Sequence, residues 1–307
     1  MDVTGKVSIV TGAGRGLGLA YARALAAAGA SVVVNDVDES SASAAVESIT
    51  DAGGTAVPHV GAVGTADVAD ELVATAVDRF DRLDVMVTNA GILRDRTLWK
   101  MTDEEFDAVV TVHLRGTFTC ARSAATYFRE AGHGGRLILV GSPAGQRGNF
   151  GQTNYAACKA GITAFARTWA MELARAGVTV NCIVPTAATE MTKTIPAFAA
   201  HIEAMENGTP LPDWMRREQA IGTPEEVAPI IVFLASDASA AVTGQTIGLG
   251  GDRLAVWTYP VEAEVALRTG GWDAESIAAE FDTRLGRVLQ PYGIPMPQDP
   301  AAAPARQ

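Results

Sequence analysis

Cysteine is scarce in this 307-residue chain: there are three, Cys120, Cys158 and Cys182, with no C-x-x-C pair among them. An odd, scattered set argues against a disulfide framework or a structural zinc site and fits a reducing compartment, so no metal is expected. Cys158 reads as a small packing residue rather than a nucleophile. Long apolar runs are missing too, none approaching the roughly 18 to 20 residues that span a bilayer. No basic stretch followed by an apolar core opens the chain, and a first strand is expected already at residues 6–10. Neither a membrane anchor nor a removable leader is expected, and a cytoplasmic protein is. Basic residues are outnumbered, 24 Lys and Arg against 35 Asp and Glu, for a formal net charge of −11. The acidic residues are spread rather than blocked into a tail, which argues against nucleic acid or an anionic membrane face as the main partner. Internal repeats and linkers are also absent, so a single domain is expected.

What is present is 48% hydrophobic residues, ample for a core, arranged as alternating strands and helices. Residues 7–10 form a short apolar run ending in Thr11-Gly-Ala-Gly-Arg-Gly-Leu-Gly18. An alanine-rich helical pattern follows over 19–28, then Ser31-Val-Val-Val-Asn-Asp36, too apolar to have a wet face. Strand, glycine turn, helix and strand make a right-handed βαβ unit that begins a parallel sheet. Gly12, Gly16 and Gly18, with Arg15 and Leu17 between them, let backbone N–H groups approach a pyrophosphate at a helix N-terminus. Asp36 closes the second strand, where a carboxylate accepts from both ribose hydroxyls and repels a 2′-phosphate, which points to NAD. Arg15 pulls the other way, toward a 2′-phosphate.

The alternation predicts helices over 40–52, 66–80, 103–119 and 121–131, a further helix that bears Tyr155 and Lys159 and continues to Ala174, and strands at 56–60, 83–88, 136–140, 178–184 and 245–249. Asn89, Ala90 and Gly91 end the fourth strand with small residues, as close approach to a cofactor requires. Ser142 arrives at the carboxyl end of the fifth, where ligands of parallel sheets sit. Tyr155 and Lys159 are four apart, so on a helix they share a face. A phenol is a poor base, with an unperturbed pKa of about 10; a neighbouring ammonium favours the phenolate and makes it a usable one. A phenol, an ammonium and the Ser142 hydroxyl around one oxygen suit proton removal from an alcohol as its hydride leaves.

Two segments break the pattern. Residues 187–220 form an apolar excursion, either a lid over a hydrophobic substrate or an extra helix pair packed on the core. Residues 253–307 form a C-terminal extension holding Trp257, Tyr259, Trp272 and Phe281, with a Pro/Ala-rich end, from about residue 298, expected to be disordered.

Thr11-Gly-x-x-x-Gly-x-Gly18, Asn89-Ala-Gly91, Ser142, Tyr155-x-x-x-Lys159 and Asn181-x-x-x-Pro185 together resemble the short-chain dehydrogenase/reductase family over roughly residues 3–252. The resemblance implies a Rossmann-type, doubly wound, seven-stranded parallel sheet in a catalytic domain over 1–252, assembled as a homotetramer or homodimer. It implies Tyr155 as acid/base, Ser142 orienting the substrate oxygen, and Lys159 on the nicotinamide ribose. Asn89 to Gly91 would line the adenosine side, and backbone after Pro185 would meet the carboxamide, with Thr189 as a candidate partner. His113 stands where the family often has a proton-relaying asparagine, either holding the water or satisfied by backbone. Ala62-Val63 replaces the pair that often meets the adenine amine, so that contact, with Val63 as its candidate, would be backbone-only or missing. A narrower resemblance, carried by Val33-Val-Asn-Asp36, Asn89 to Arg96, Val112-His-Leu-Arg-Gly116 and Gly148 to Tyr155, is to the 3-hydroxyacyl-CoA dehydrogenase (17β-hydroxysteroid dehydrogenase) domain of peroxisomal multifunctional enzymes of type 2. It implies a stand-alone relative acting with NAD on an acyl-CoA, a steroid side-chain CoA ester or a steroid. Arg94 and Arg96 would be candidates for a CoA phosphate. Competing readings are an NADP-linked 3-oxoacyl-carrier-protein-type reductase, a polyol dehydrogenase, and a non-catalytic dinucleotide sensor, the last opposed by the presence of both Tyr155 and Lys159.

Overall fold

The protein is described by a computed structural model over residues 1–193 and 195–295; the Pro/Ala-rich end lies outside the described residues. Eight strands form one sheet in the order β3-β2-β1-β4-β5-β6-β7-β8. They are β1 (Val7–Thr11), β2 (Ser31–Asp36), β3 (Thr55–Val60), β4 (Val85–Thr88), β5 (Gly135–Val140), β6 (Val178–Pro185), β7 (Thr246–Gly250) and β8 (Arg253–Val256). The first seven are parallel, and β8 pairs antiparallel with β7 through Gly248↔Ala255 and Leu249↔Leu254. The expected seven-stranded sheet is therefore extended by one strand taken from the C-terminal extension. A turn at Gly251 folds that segment back onto the exposed edge of β7, pairing backbone that would otherwise stay open.

Helices cover both faces, which is why the strands read as continuous apolar runs. On one side α1 (Gly16–Ala27), α2 (Glu39–Thr50) and α12 (Pro229–Ala235) pack Tyr21, Leu25, Ile49, Ile231 and Leu234 against Val10, Val32, Val34, Val87 and Ile138. On the other, α3 (Ala66–Phe80), α5 (Gly116–Ala131) and α7 (Thr153–Glu172) pack Leu72, Phe128, Ile162 and Ala166 against Ile9, Val33, Met86, Leu137 and Leu139. Neighbouring strand residues such as Ile9 and Val10 thus feed opposite layers, as the two-residue period of a strand requires.

Between α4 (Asp103–Val109) and α5 the chain makes a π-helical stretch over Val110–Arg115 instead of a break near residue 120. Sequence reasoning split this rod at the wrong place, because a π turn keeps helical hydrogen bonding and leaves no proline or glycine signature. The excursion at 187–220 holds α8 (Glu190–Lys193), α9 (Pro196–Glu206) and α10 (Asp213–Arg217), which bury Phe198, Ile202, Leu211, Met215 and Ile221 in a small core of their own. Then come α11 (Pro224–Val227), started by the Thr223/Glu226 capping box, α12 (Pro229–Ala235) and, in the extension, α13 (Ala274–Thr283). The strand order reverses between β1 and β4, and that switch point opens a crevice at the carboxyl ends of the strands.

Candidate active site

A cleft of about 1520 Å³ occupies that crevice. The expected catalytic and dinucleotide-binding residues line it: Gly12, Arg15, Gly16, Leu17, Gly18, Asp36, Val63, Asn89, Ala90, Gly91, His113, Ser142, Tyr155, Lys159, Pro185 and Thr189. Arg94 and Arg96 do not line it. Arg96 is paired with Glu105 at 3.3 Å, and Arg94 donates to Leu93 O at 2.7 Å.

The glycine loop is built for a phosphate. α1 starts at Arg15 with no side-chain cap and no acidic residue in its first turn, whereas α2 and α3 are capped by Asp38 and Thr65. Its first N–H groups therefore face the cleft without a partner from a cap, and the helix dipole favours an anion there. The loop approaches β4 so closely that a Cβ at Gly12 would stand 2.7 Å from Ala90 Cα. Asn89 Nδ2 donates to Thr11 O and Gly12 O, both at 3.0 Å, and Thr11 Oγ1 accepts from the N–H groups of Asn89 and Ala90. The Asn89 amide thus holds the loop in place, a role its sequence position did not reveal. Asp36 sits half-buried at the end of β2, its carboxylate accepting from the N–H of Gly14 at 3.0 Å and of Asp38 at 3.2 Å. This cradle fits the diphosphate and ribose of a dinucleotide.

Ser142 lies just past β5, where its Oγ accepts from the N–H of Ala144 at 3.2 Å and caps the short helix α6 (Pro143–Arg147). Tyr155 projects from α7 into the same part of the cleft, with 8% of its surface exposed. Burial pushes the phenol up from its ordinary pKa, the Asp95 carboxylate adds to that, and the Ser142 hydrogen bond offsets part of it. Lys159 is buried one turn along; its Nζ donates to Val140 O at 2.6 Å and lies 5.6 Å from the centre of the Tyr155 ring. Desolvation lowers its pKa to about 8, only partly opposed by Cys182 and Cys158. In the protein alone, burial sets the direction of the shift at the phenol. The expected lowering by Lys159 is not the dominant influence there.

His113, carried by the π-helical stretch, packs edge-on to Tyr155 with ring centres 5.1 Å apart. Its Nε2 lies 2.8 Å from Ile92 O and 3.0 Å from Ile92 N, and its buried Nδ1 has no partner among the described residues. Burial and Lys159 hold its pKa down at about 3, so the ring is neutral at ordinary pH. Asn154 was missed in the sequence although it adjoins Tyr155. Fully buried, it donates to Arg94 O and Glu105 O, each at 3.1 Å, while its Oδ1 accepts from Tyr155 N at 2.8 Å, so it pins the start of α7. Asn181 also turns out to be structural, joining Val242 O and Gln245 N. Thr189 Oγ1 is 3.2 Å from Thr192 Oγ1 at the start of α8. Cys120, Cys158 and Cys182 are free and buried, and no metal-binding group of His, Cys, Asp and Glu occurs among the described residues. No described helix is long and apolar enough to cross a membrane.

Comparison with known proteins gives concordant results. A family model described as enoyl-(acyl carrier protein) reductase matches residues 12–251. A hydroxyacyl-CoA dehydrogenase of Mycobacterium tuberculosis is 42% identical over 291 residues, covering 91% of this chain and 88% of that protein. A 3-oxoacyl-[acyl-carrier-protein] reductase of Synechocystis is 43% identical over 252 residues, covering 81% of this chain and 97% of the relative. The peroxisomal multifunctional enzyme type 2 of Drosophila melanogaster is 37% identical over 75% of this chain, which spans 36% of that longer protein. Among solved structures, a short chain dehydrogenase from Mycobacterium avium superposes with a TM-score of 0.81 at 37% identity, covering 96% of this chain and 99% of its own.

Proposed function

This chain belongs to the short-chain dehydrogenase/reductase family of oxidoreductases, and on that premise we propose that it interconverts a secondary alcohol and its ketone on a hydrophobic acyl-CoA, a 3-hydroxyacyl-CoA, with NAD as the dinucleotide. The observation that carries the reading is the convergence of Ser142, Tyr155 and Lys159 at one end of a cleft whose other end is an uncapped helix N-terminus beside Asp36. When bound, the dinucleotide supplies the hydride acceptor or donor. Tyr155 takes the hydroxyl proton in oxidation and returns it in reduction. Ser142 Oγ holds the substrate oxygen against the phenol. The buried Lys159 ammonium favours the phenolate as it forms, and His113, neutral and edge-on, fixes the ring's position.

Asp36 supports NAD, because an added 2′-phosphate would meet its carboxylate. The CoA thioester is supported by the likeness to a hydroxyacyl-CoA dehydrogenase along nearly the whole chain. Arg147 supports it as well: it lines the cleft, is exposed, and has no carboxylate partner among the described residues. The test is reduction of NAD⁺ and NADP⁺ against 3-hydroxyacyl-CoAs, steroid side-chain CoA esters and free 17β-hydroxysteroids. Activity on free steroids alone would discard the thioester. Tyr155→Phe should lower turnover by about 10² to 10⁴-fold while NADH still binds; full turnover by that variant would remove Tyr155 from its role.

A second reading, an NADP-linked 3-oxoacyl-carrier-protein reductase, is favoured by Arg15 in the cleft and by the Synechocystis relative. A kcat/KM for NADPH above that for NADH would select it. A cytoplasmic homotetramer or homodimer completes the proposal, supported by exposed apolar side chains such as Phe118 on α5 and Met171 on α7.

A further inference from the structure

The C-terminal extension leaves the domain and then comes back to it. It departs through β8 to Trp257, whose N–H donates to Thr246 O at 2.9 Å. The indole occupies space next to β7 that a side chain there would need: a Cβ at Gly248 would lie 3.0 Å from Trp257 Nε1. Tyr259 fastens this departure, its hydroxyl donating to Gly244 O. The chain then runs through α13, none of whose residues is fully buried. It returns at Gly293, whose N–H donates to Arg147 O at 2.7 Å. Arg147 joins the two ends, because its guanidinium also lies 5.4 Å from the centre of the Trp257 ring. Directly after that hydrogen bond, Ile294 packs on the apolar cluster that contains Tyr155, as Ile92 and Leu93 also do. Trp257 and Ile294 both line the cleft.

A helix with no fully buried residue contributes little stability through its own packing, whereas both fastened ends of the segment line the cleft. We propose that the extension is part of the active site: Ile294 and Trp257, clasped across Arg147, form the wall against which the apolar body of the substrate lies beyond its carbinol. Ile294 is then a specificity-determining residue. It acts on substrates long enough to reach it and has nothing to grip on shorter ones. The choice of substrate rests on the acyl-CoA reading above; the position of the wall rests on the extension's own contacts.

The test uses the full chain and a series of 3-hydroxyacyl-CoAs from short to long acyl groups. Ile294→Ala should lower kcat/KM for the longest substrates about tenfold more than for the shortest, mainly through KM, as expected for losing apolar contact in a pocket. Gly293→Pro, which removes the N–H donated to Arg147, should give the same length-dependent loss by releasing the tail. Leu267→Ala, in the extension but 92% exposed, should leave the length profile as it is in the wild type. An equal loss at every length, or no loss with either variant, overturns the wall. If the wild type oxidises free secondary alcohols and no CoA thioester, the substrate reading fails, and the same variants on alcohols of increasing length decide the wall. Inactivity of the wild type on every alcohol overturns both.

Discussion

His113 is 2% exposed, and its imidazolium is held down at about 3 by burial and by the Lys159 charge. An unfolded chain takes up that proton near 6.5, so between the two values the unfolded state binds more protons and stability falls as pH falls. One proton corresponds to a slope of up to about 1.4 kcal/mol per pH unit. Urea unfolding of the wild type between these pH values should show this extra slope, and His113→Asn should lack it; equal slopes would place the buried acid-sensitive group elsewhere. Tyr155 makes a second pH prediction. Its phenol is pushed above its ordinary value, so the phenolate is the minor form at neutral pH. Oxidation, which needs the base, should therefore speed up from neutral to alkaline pH, while reduction, which needs the acid, should not. An oxidation rate flat across that range would rule out the phenol as the base. The pairing of Tyr155 with Lys159 was legible because four residues make one helical turn. The Asn154 role was not, because its acceptors are the carbonyls of Arg94 and Glu105, and backbone leaves no trace in residue type.

At the level of elements, the site depends on how closely α6 approaches α7. Gly145 makes that possible: a Cβ there would stand 2.5 Å from the Lys159 carbonyl carbon and 2.6 Å from Ala160 N. Those are backbone atoms within a long helix and do not yield cheaply. Gly145→Val should cost about 1 to 3 kcal/mol of stability, as overpacking does. It should also lower kcat, since Ser142 caps the displaced helix; a variant with wild-type stability and kcat would show that the two helices tolerate separation. The strand and helix alternation that delivers these elements was readable from apolar runs, glycine turns and caps. The eighth strand was not: Arg253–Val256 is four residues long and mostly exposed, and it becomes a strand because β7 offers it an open edge. The π-helical stretch that buries His113 escaped notice for a related reason, since its geometry is chosen by what packs around it.

Across the whole molecule, exposed apolar side chains on the outer helices mark where copies could meet. Phe118 is 40% exposed on α5 and Met171 is 74% exposed on α7. If the chain assembles through these helices, Met171→Glu should shift it toward smaller species in sedimentation velocity, with far-UV circular dichroism preserved. An unchanged sedimentation profile would move the interface to another face.

Local chemistry is what the sequence by itself determined: a glycine turn before a helix, a carboxylate closing β2, a serine past β5, and a phenol and ammonium one turn apart. Each of these is encoded by neighbours along the chain, so residue type and spacing suffice to read it. Only the tertiary structure decided that burial sets the direction of the shift at Tyr155, that Asn89 serves the glycine loop, and that Ile294 returns to the cleft opened near Ser142. Those outcomes depend on dielectric surroundings and on contacts between distant segments, and both come into being when the chain packs.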